Sequence, residues 1–145
     1  MKFPLIFIGH GSPMNAIETN QYTDSWREIG KSIKEVPRAI LMLSAHWITE
    51  GKTEINTTEK PDMIYDMYGF PPELYRIKYD CPGSKSIAEE IIDVLSPDYS
   101  IRENEAHGID HGAWSTLIHA FPEASIPVIQ LSLDYSKSPE WHFEF

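Results

Sequence analysis

The 145-residue sequence contains one cysteine, Cys81, so it can form no internal disulfide. That excludes a disulfide-stapled miniprotein and predicts a cytoplasmic protein. Basic residues are also scarce: 12 Lys and Arg stand against 22 Asp and Glu, a formal charge of −10, and no segment gathers the cations into a stripe. Nucleic acid and anionic membrane surfaces are therefore excluded as expected partners. No apolar run approaches the ~18 residues of a membrane span, and the run at residues 5–8 breaks at Gly9 before a secretory h-region could develop. Three catalytic signatures are missing as well: HExxH, a CxxC pair and G-x-S-x-G. Gly11-Ser12-Pro13 does not replace the last of these, because proline lacks the backbone N–H that the oxyanion hole of such an elbow uses. What is there, 41% hydrophobic and 23% charged residues, suffices for one globular domain with its own core.

Residues 5–8 read as a short buried strand entering a tight loop at Gly9 and Gly11. Trp26, Ile29 and Ile33 recur at helical spacing, with Thr23 or Asp24 as the cap and Val36-Pro37 as the stop. The continuous apolar run at 39–43 predicts a strand covered on both faces that ends at Ser44-Ala45-His46. A short strand at 54–58 precedes a long ordered loop at 59–82. Its aromatics, Tyr65, Tyr68, Phe70 and Tyr75, suit either a pocket wall or plain packing beneath the loop. Ser84 opens an amphipathic helix, with Ile87, Ala88, Ile91, Ile92 and Leu95 on one face and Glu89, Glu90 and Asp93 opposite. A strand at 99–102, a helix at 114–120 and a strand at 127–133 follow. This order predicts an α/β fold with a largely parallel central sheet and flanking helices, whose ligands bind at the carboxyl ends of the strands.

That rule draws attention to His10 and His46, which directly follow the two clearest apolar runs. Imidazole is a common ligand for zinc and iron, and the glycines around His10 would let a loop approach an ion closely. A pair of hydrogen-bonded histidines anchoring the loop backbones is the competing reading. A third cluster, His107 to Trp114, sits just before a helix. Asp110 is expected to cap that helix, and His111 is the candidate for a substrate contact or proton shuttle. His107 reads as a loop residue, His119 and His142 as structural or solvent-facing. Cys81, followed by Pro82 and with no histidine near it in sequence, is a weak candidate nucleophile.

Four motifs occur in order: GHGSPMN from Gly9, SAHW from Ser44, YGFPPELY from Tyr68 and GIDHGAW from Gly108. Together they resemble the class III, LigB-like extradiol ring-cleavage dioxygenases, in the branch that includes the 4,5-DOPA extradiol dioxygenases. The resemblance implies a non-haem metal enzyme that opens a catechol ring beside its two hydroxyls with O2. It implies one divalent ion, Fe(II) in the active form or Zn(II). Carried over motif by motif, His10 and His46 match metal ligands and His111 an active-site histidine beside the substrate. Ser12 and Tyr68 are the further candidate substrate contacts.

The resemblance also implies a third ligand and an acid/base histidine that lie outside these residues. Residues 1–145 thus read as a single α/β domain that forms the amino-terminal part of a catalytic domain of about 260 residues. Ser138-Pro139-Glu140 supports this, since it has the cap, proline and acid of a helix start about five residues before the sequence stops. On that reading the chain alone is inactive, and self-association through uncovered apolar surface is expected. A zinc-dependent hydrolase on the same histidines and a non-catalytic binding module are the alternatives.

Overall fold

The computed structural model describes residues 3–145. Its elements are α1 (Gln21–Ser32), β1 (Ile40–Thr49), β2 (Thr53–Asn56), α2 (Lys85–Leu95), β3 (Ile101–Asn104), α3 (His111–Ala120), β4 (Val128–Asp134) and α4 (Pro139–Glu144). The strands form one sheet in the order β1-β4-β2-β3. β1 and β4 are parallel, as are β2 and β3, whereas β2 meets β4 antiparallel through Ile55 and Leu131. The tight connection after β1 explains the mixture. Residues 50–52 reverse the chain at Gly51, whose φ of +70° suits glycine, so β2 runs against β1 and against β4, the strand parallel to β1. The predicted α/β architecture, with a mostly parallel sheet and flanking helices, is present.

Period-two alternation divides β4 between two cores. Val128 joins Leu74, Tyr79, Cys81, Ile109, Trp114 and Leu117 on the side of α3. Ile129 and Leu131 face the other way and pack with Ile55, Ala88 and the isoleucines of α2. Full burial of a large apolar side chain contributes ~1.5–3 kcal/mol, which makes the wholly buried Trp114 the main anchor of α3. The amphipathic α2 starts where the sequence places it, its first turn capped by the Ser84 hydroxyl. Ser138 likewise caps α4, accepting the Trp141 N–H. No helix among the described residues is long and apolar enough to cross a membrane.

Several local expectations are corrected. Residues 5–8 form no strand, and Leu5 and Phe7 are fully exposed. An apolar run becomes a strand only where a neighbour completes its hydrogen-bond ladder, and none of the described strands pairs with this one. β1 is not covered on both faces: Ile40 and Met42 pack against the α3-side core, while Leu41 and Leu43 stay half-exposed. Nor does it end before His46, since it continues to Thr49 after a break in register between Leu43 and Ile48. The cap of α1 is Asn20 rather than Thr23 or Asp24. Asn20 accepts the N–H groups of Tyr22 and Thr23, and the Thr23 hydroxyl accepts the Asn20 N–H in return.

The loop at 59–82 is ordered by packing, with Met67, Leu74, Tyr79 and Cys81 all buried and only the 3-10 turn Leu74–Arg76 as regular structure. Burial pushes the Cys81 thiol up to about 11, which suits a core residue and not a nucleophile.

Candidate functional site

The register break in β1 creates the first half of the site. Leu43 pairs with Leu131 and Ile48 with Leu133, so residues 44–47 bulge opposite Ser132 alone. His46 lies in this bulge. His111 is the first residue of α3, where the Asp110 carboxylate accepts the Ala113 N–H and fixes the helix start. His10 comes from the irregular segment before the 3-10 turn Pro13–Ala16. It thus follows no strand, contrary to the sequence reading, although it reaches the predicted rim.

Hydrogen bonds hold the His10 segment in place of a strand. The Asn15 side-chain amide donates to the His10 carbonyl (3.0 Å), and the Asn20 amide donates to Asn15 Oδ1 (2.8 Å). Arg27 donates to His119 Nδ1 (3.0 Å), and His119 Nε2–H donates in turn to the Asn15 carbonyl (2.7 Å). His119 is therefore structural, as its position inside the helical pattern implies. His142 contacts the Asp134 carbonyl (3.0 Å), and His107 stacks on Trp47 at 3.7 Å between ring centroids.

The three remaining imidazoles converge. Ring centroids are 4.9 Å apart for His10 and His46, 4.0 Å for His46 and His111, and 5.2 Å for His10 and His111. One ring nitrogen from each lies within 4.8 Å of the others, a group that could hold a metal ion. The Nε2 atoms of His10 and His46 are 2.9 Å apart. Two bonds of ~2.1 Å meeting at a right angle separate their ligand atoms by about 3.0 Å. The residues present therefore fit a divalent ion with open positions, and imidazole donors suit iron and zinc alike.

Electrostatics favour a donor-ready His10 ring. Burial, together with the neighbouring His46 and His111, lowers the His10 imidazole from its ordinary value and so favours its neutral form. Asp66 lies behind the other two rings. Its Oδ1 accepts from His111 Nδ1 (2.8 Å) and the His111 backbone N–H (3.0 Å), and its Oδ2 lies 3.3 Å from His46 Nδ1. Burial alone would raise the Asp66 carboxyl, but these donors outweigh it and hold the group below the usual carboxylate range.

Beneath the rings, the buried Asp110 accepts from the Ser44 hydroxyl (2.7 Å) and from the Gln130 side-chain amide. Ser44 Oγ also accepts the His46 N–H (3.2 Å), so Asp110 helps to fix the bulge that carries His46.

Gly112 makes the close approach of α3 and β1 possible. A Cβ there would stand 2.6 Å from His46 Cδ2, 3.0 Å from Ser44 Oγ and 3.1 Å from Asp110 Oδ1. Gly112→Ala is expected to displace His46, lowering metal affinity at least ~10-fold and stability by ~1–3 kcal/mol. Metal titration alongside thermal melting checks both effects. Unchanged metal affinity would show that His46 tolerates the displacement.

Of the other candidate residues, Ser12 lies on the wall of an open cavity of about 650 Å³ beside the His10 segment, shared with Gly9, Gly11, Asn15 and Tyr22. Its hydroxyl also accepts the Met14 N–H (3.2 Å). Tyr68 is 90% exposed and is not brought against the three imidazoles. Asp66 was not signalled by the sequence. It is one of five acids in an aperiodic loop, and its only pointer is its place two residues before the YGFPPELY motif.

The family model for the catalytic LigB subunit of aromatic ring-opening dioxygenase matches residues 4–144. A protein named 4,5-DOPA dioxygenase extradiol from Escherichia coli (strain K12) is 46% identical over 143 residues, covering 99% of this chain and 52% of the relative. Another of that name, from Beta vulgaris, is 41% identical over 144 residues, covering 95% of this chain and 53% of the relative. The crystal structure of an uncharacterised Escherichia coli K12 protein superposes with a TM-score of 0.69 at 38% identity, covering 88% of this chain and 46% of that one. The chain spans about half the length of the curated relatives it matches. A match running through nearly every residue, and through all three converging histidines, shows that the chain belongs to the LigB family of aromatic ring-opening dioxygenases.

Proposed function

We propose that this chain supplies the metal-binding and substrate-facing histidines of an extradiol dioxygenase that opens a DOPA-like catechol with O2. The observation that carries the reading is the convergence of His10, His46 and His111 on one point in a chain of this family. In this reading His10 and His46 hold Fe(II), with Zn(II) as the competing ion. The chemistry supplied when iron is bound is Lewis-acid activation of the catechol and redox activation of O2. His111 faces the same point and can accept or return a proton at a catechol hydroxyl. Ser12 lines the open cavity beside the His10 segment, and the exposed Tyr68 can close over a substrate only if its loop moves. The third ligand and the acid/base histidine belong to the other half of the relatives' length, so the 145 residues alone bind metal without turnover. The protein works in the cytoplasm, where its buried thiol stays reduced.

The test is anaerobic loading with Fe(II), then O2 uptake and product spectra on a panel of catechols. It is run on this chain and on the same chain joined to the second half of the Escherichia coli relative. Metal binding in both and ring opening only in the joined protein is the expected result. Ring opening by the 145 residues at the joined protein's rate would place the remaining catalytic groups inside them, and failure to bind any divalent ion would leave a binding module. In the joined protein, His111→Ala is expected to lower turnover ~100-fold or more with metal content nearly unchanged. Loss of metal in that variant would make His111 a ligand instead.

A further inference from the structure

We propose that Asp66 is the positioning residue of the site, one carboxylate that fixes both His46 and His111 as Nδ1–H tautomers and leaves their Nε2 lone pairs free to face His10. The carboxylate meets two different rings through two different oxygens: Oδ1 is hydrogen-bonded to His111 Nδ1 at 2.8 Å, and Oδ2 makes a longer, ion-pair-range contact with His46 Nδ1 at 3.3 Å. An ionised carboxylate only accepts hydrogen bonds. Each neutral imidazole has one N–H, and if that hydrogen points at Asp66 the Nε2 atom is bare. The ring spacing agrees, because the two imidazoles that share Asp66 are the closest pair of the three, at 4.0 Å between centroids. His10 offers the contrast: its Nδ1 is buried without a hydrogen-bond partner among the described residues.

The same oxygen that holds the His111 ring also accepts the His111 backbone N–H at 3.0 Å. Asp66 therefore ties the loop at 59–82 to the first turn of α3 and sets ring orientation and helix start together. A carboxylate behind a ligating imidazole fixes its tautomer and raises its basicity. Here a single carboxylate would serve two rings, so both change together when it is lost. The purpose assigned to this arrangement rests on the metal-binding reading above, while the tautomers can be measured without any metal.

Asp66→Asn separates the two roles. Asparagine keeps one acceptor oxygen for the His111 backbone and ring but turns an NH2 donor toward His46. In the full chain, two-bond ¹⁵N–¹H correlation of the imidazoles reads the tautomers, Zn(II) competition titration reads affinity, and far-UV circular dichroism reads the fold. The expected result is Nδ1–H at both rings in the parent, a shift of His46 toward Nε2–H in Asp66→Asn, and Zn(II) affinity lower by ~10–100-fold with helical signal retained. Asp66→Glu, which keeps the carboxylate, is expected to restore the tautomers in part, and it serves as the second variant should the asparagine form not fold. The proposal is overturned by Nε2–H tautomers in the parent, or by an asparagine variant with parental tautomers and Zn(II) affinity within twofold. Parental Nδ1–H tautomers that depend on Asp66 in a chain that binds no metal would support the positioning role and overturn the metal reading, so the two failures are distinguishable.

Discussion

Replacing His46 with alanine is expected to abolish stoichiometric binding of a divalent ion. Changing an outer partner of a ligating histidine costs ~10–100-fold in metal affinity, and removing the ligand itself costs more. The His46 side chain is 29% exposed and lies in a bulge, so its removal leaves no closed cavity and the fold should survive. His10→Ala should have the same effect on binding. Its ring is the partner at 2.9 Å, and its loss would leave His46 as the single ligand from these residues. His142→Ala is the control, because among the described residues that ring hydrogen-bonds only the Asp134 carbonyl, and the change should leave binding unaltered. Equilibrium dialysis with metal analysis separates these outcomes, and a His46→Ala chain that still binds one ion per chain would remove His46 from the site.

The largest effect on stability is expected from Asp110→Ala. The carboxylate is 1% exposed and accepts from the Ala113 N–H, the Ser44 hydroxyl and the Gln130 amide. Losing a helix cap costs ~1 kcal/mol, and each buried donor left unpaired costs ~1–3 kcal/mol. A loss of about 4 kcal/mol is therefore expected in urea unfolding, a large part of the ~5–15 kcal/mol that holds a domain folded. Because Ser44 also accepts the His46 N–H, the variant should lose metal affinity as well as stability. A loss below ~1 kcal/mol would mean that water replaces the carboxylate at both donors.

The histidines were legible in the sequence because the chain marks them locally. His10 stands between two glycines, His46 follows an apolar run, and His111 sits beside an Asp at the start of a helical pattern. Asp110 and Ser138 were legible as caps for the same reason, since capping is settled within three residues. Asp66 was not, because its partners lie 20 and 45 positions away and its loop has neither helical nor strand period. The extension of β1 beyond Ser44 was hidden by its polar residues, which a bulge tolerates and a hydropathy pattern does not register. Residues 5–8 show the opposite error. Hydrophobicity was visible there, but whether a strand forms depends on a pairing partner elsewhere in the fold.

The three imidazoles are mounted on supports of unequal stiffness. His46 and His111 ride on a strand and a helix whose backbones are tied into the sheet and to the buried Asp110. His10 hangs from an irregular segment held through Asn15 by the side chains of Asn20, the cap of α1, and of His119 in α3. Opening that segment would withdraw one imidazole and leave the other two in place. Ion capture would then proceed in an order, with docking on the rigidly held His46 first and the His10 arm closing afterwards, and release would run in reverse. The slow step of metal exchange would belong to the asparagine-linked arm, so its rate should respond to changes at Asn15 or Asn20, residues that never touch the ion.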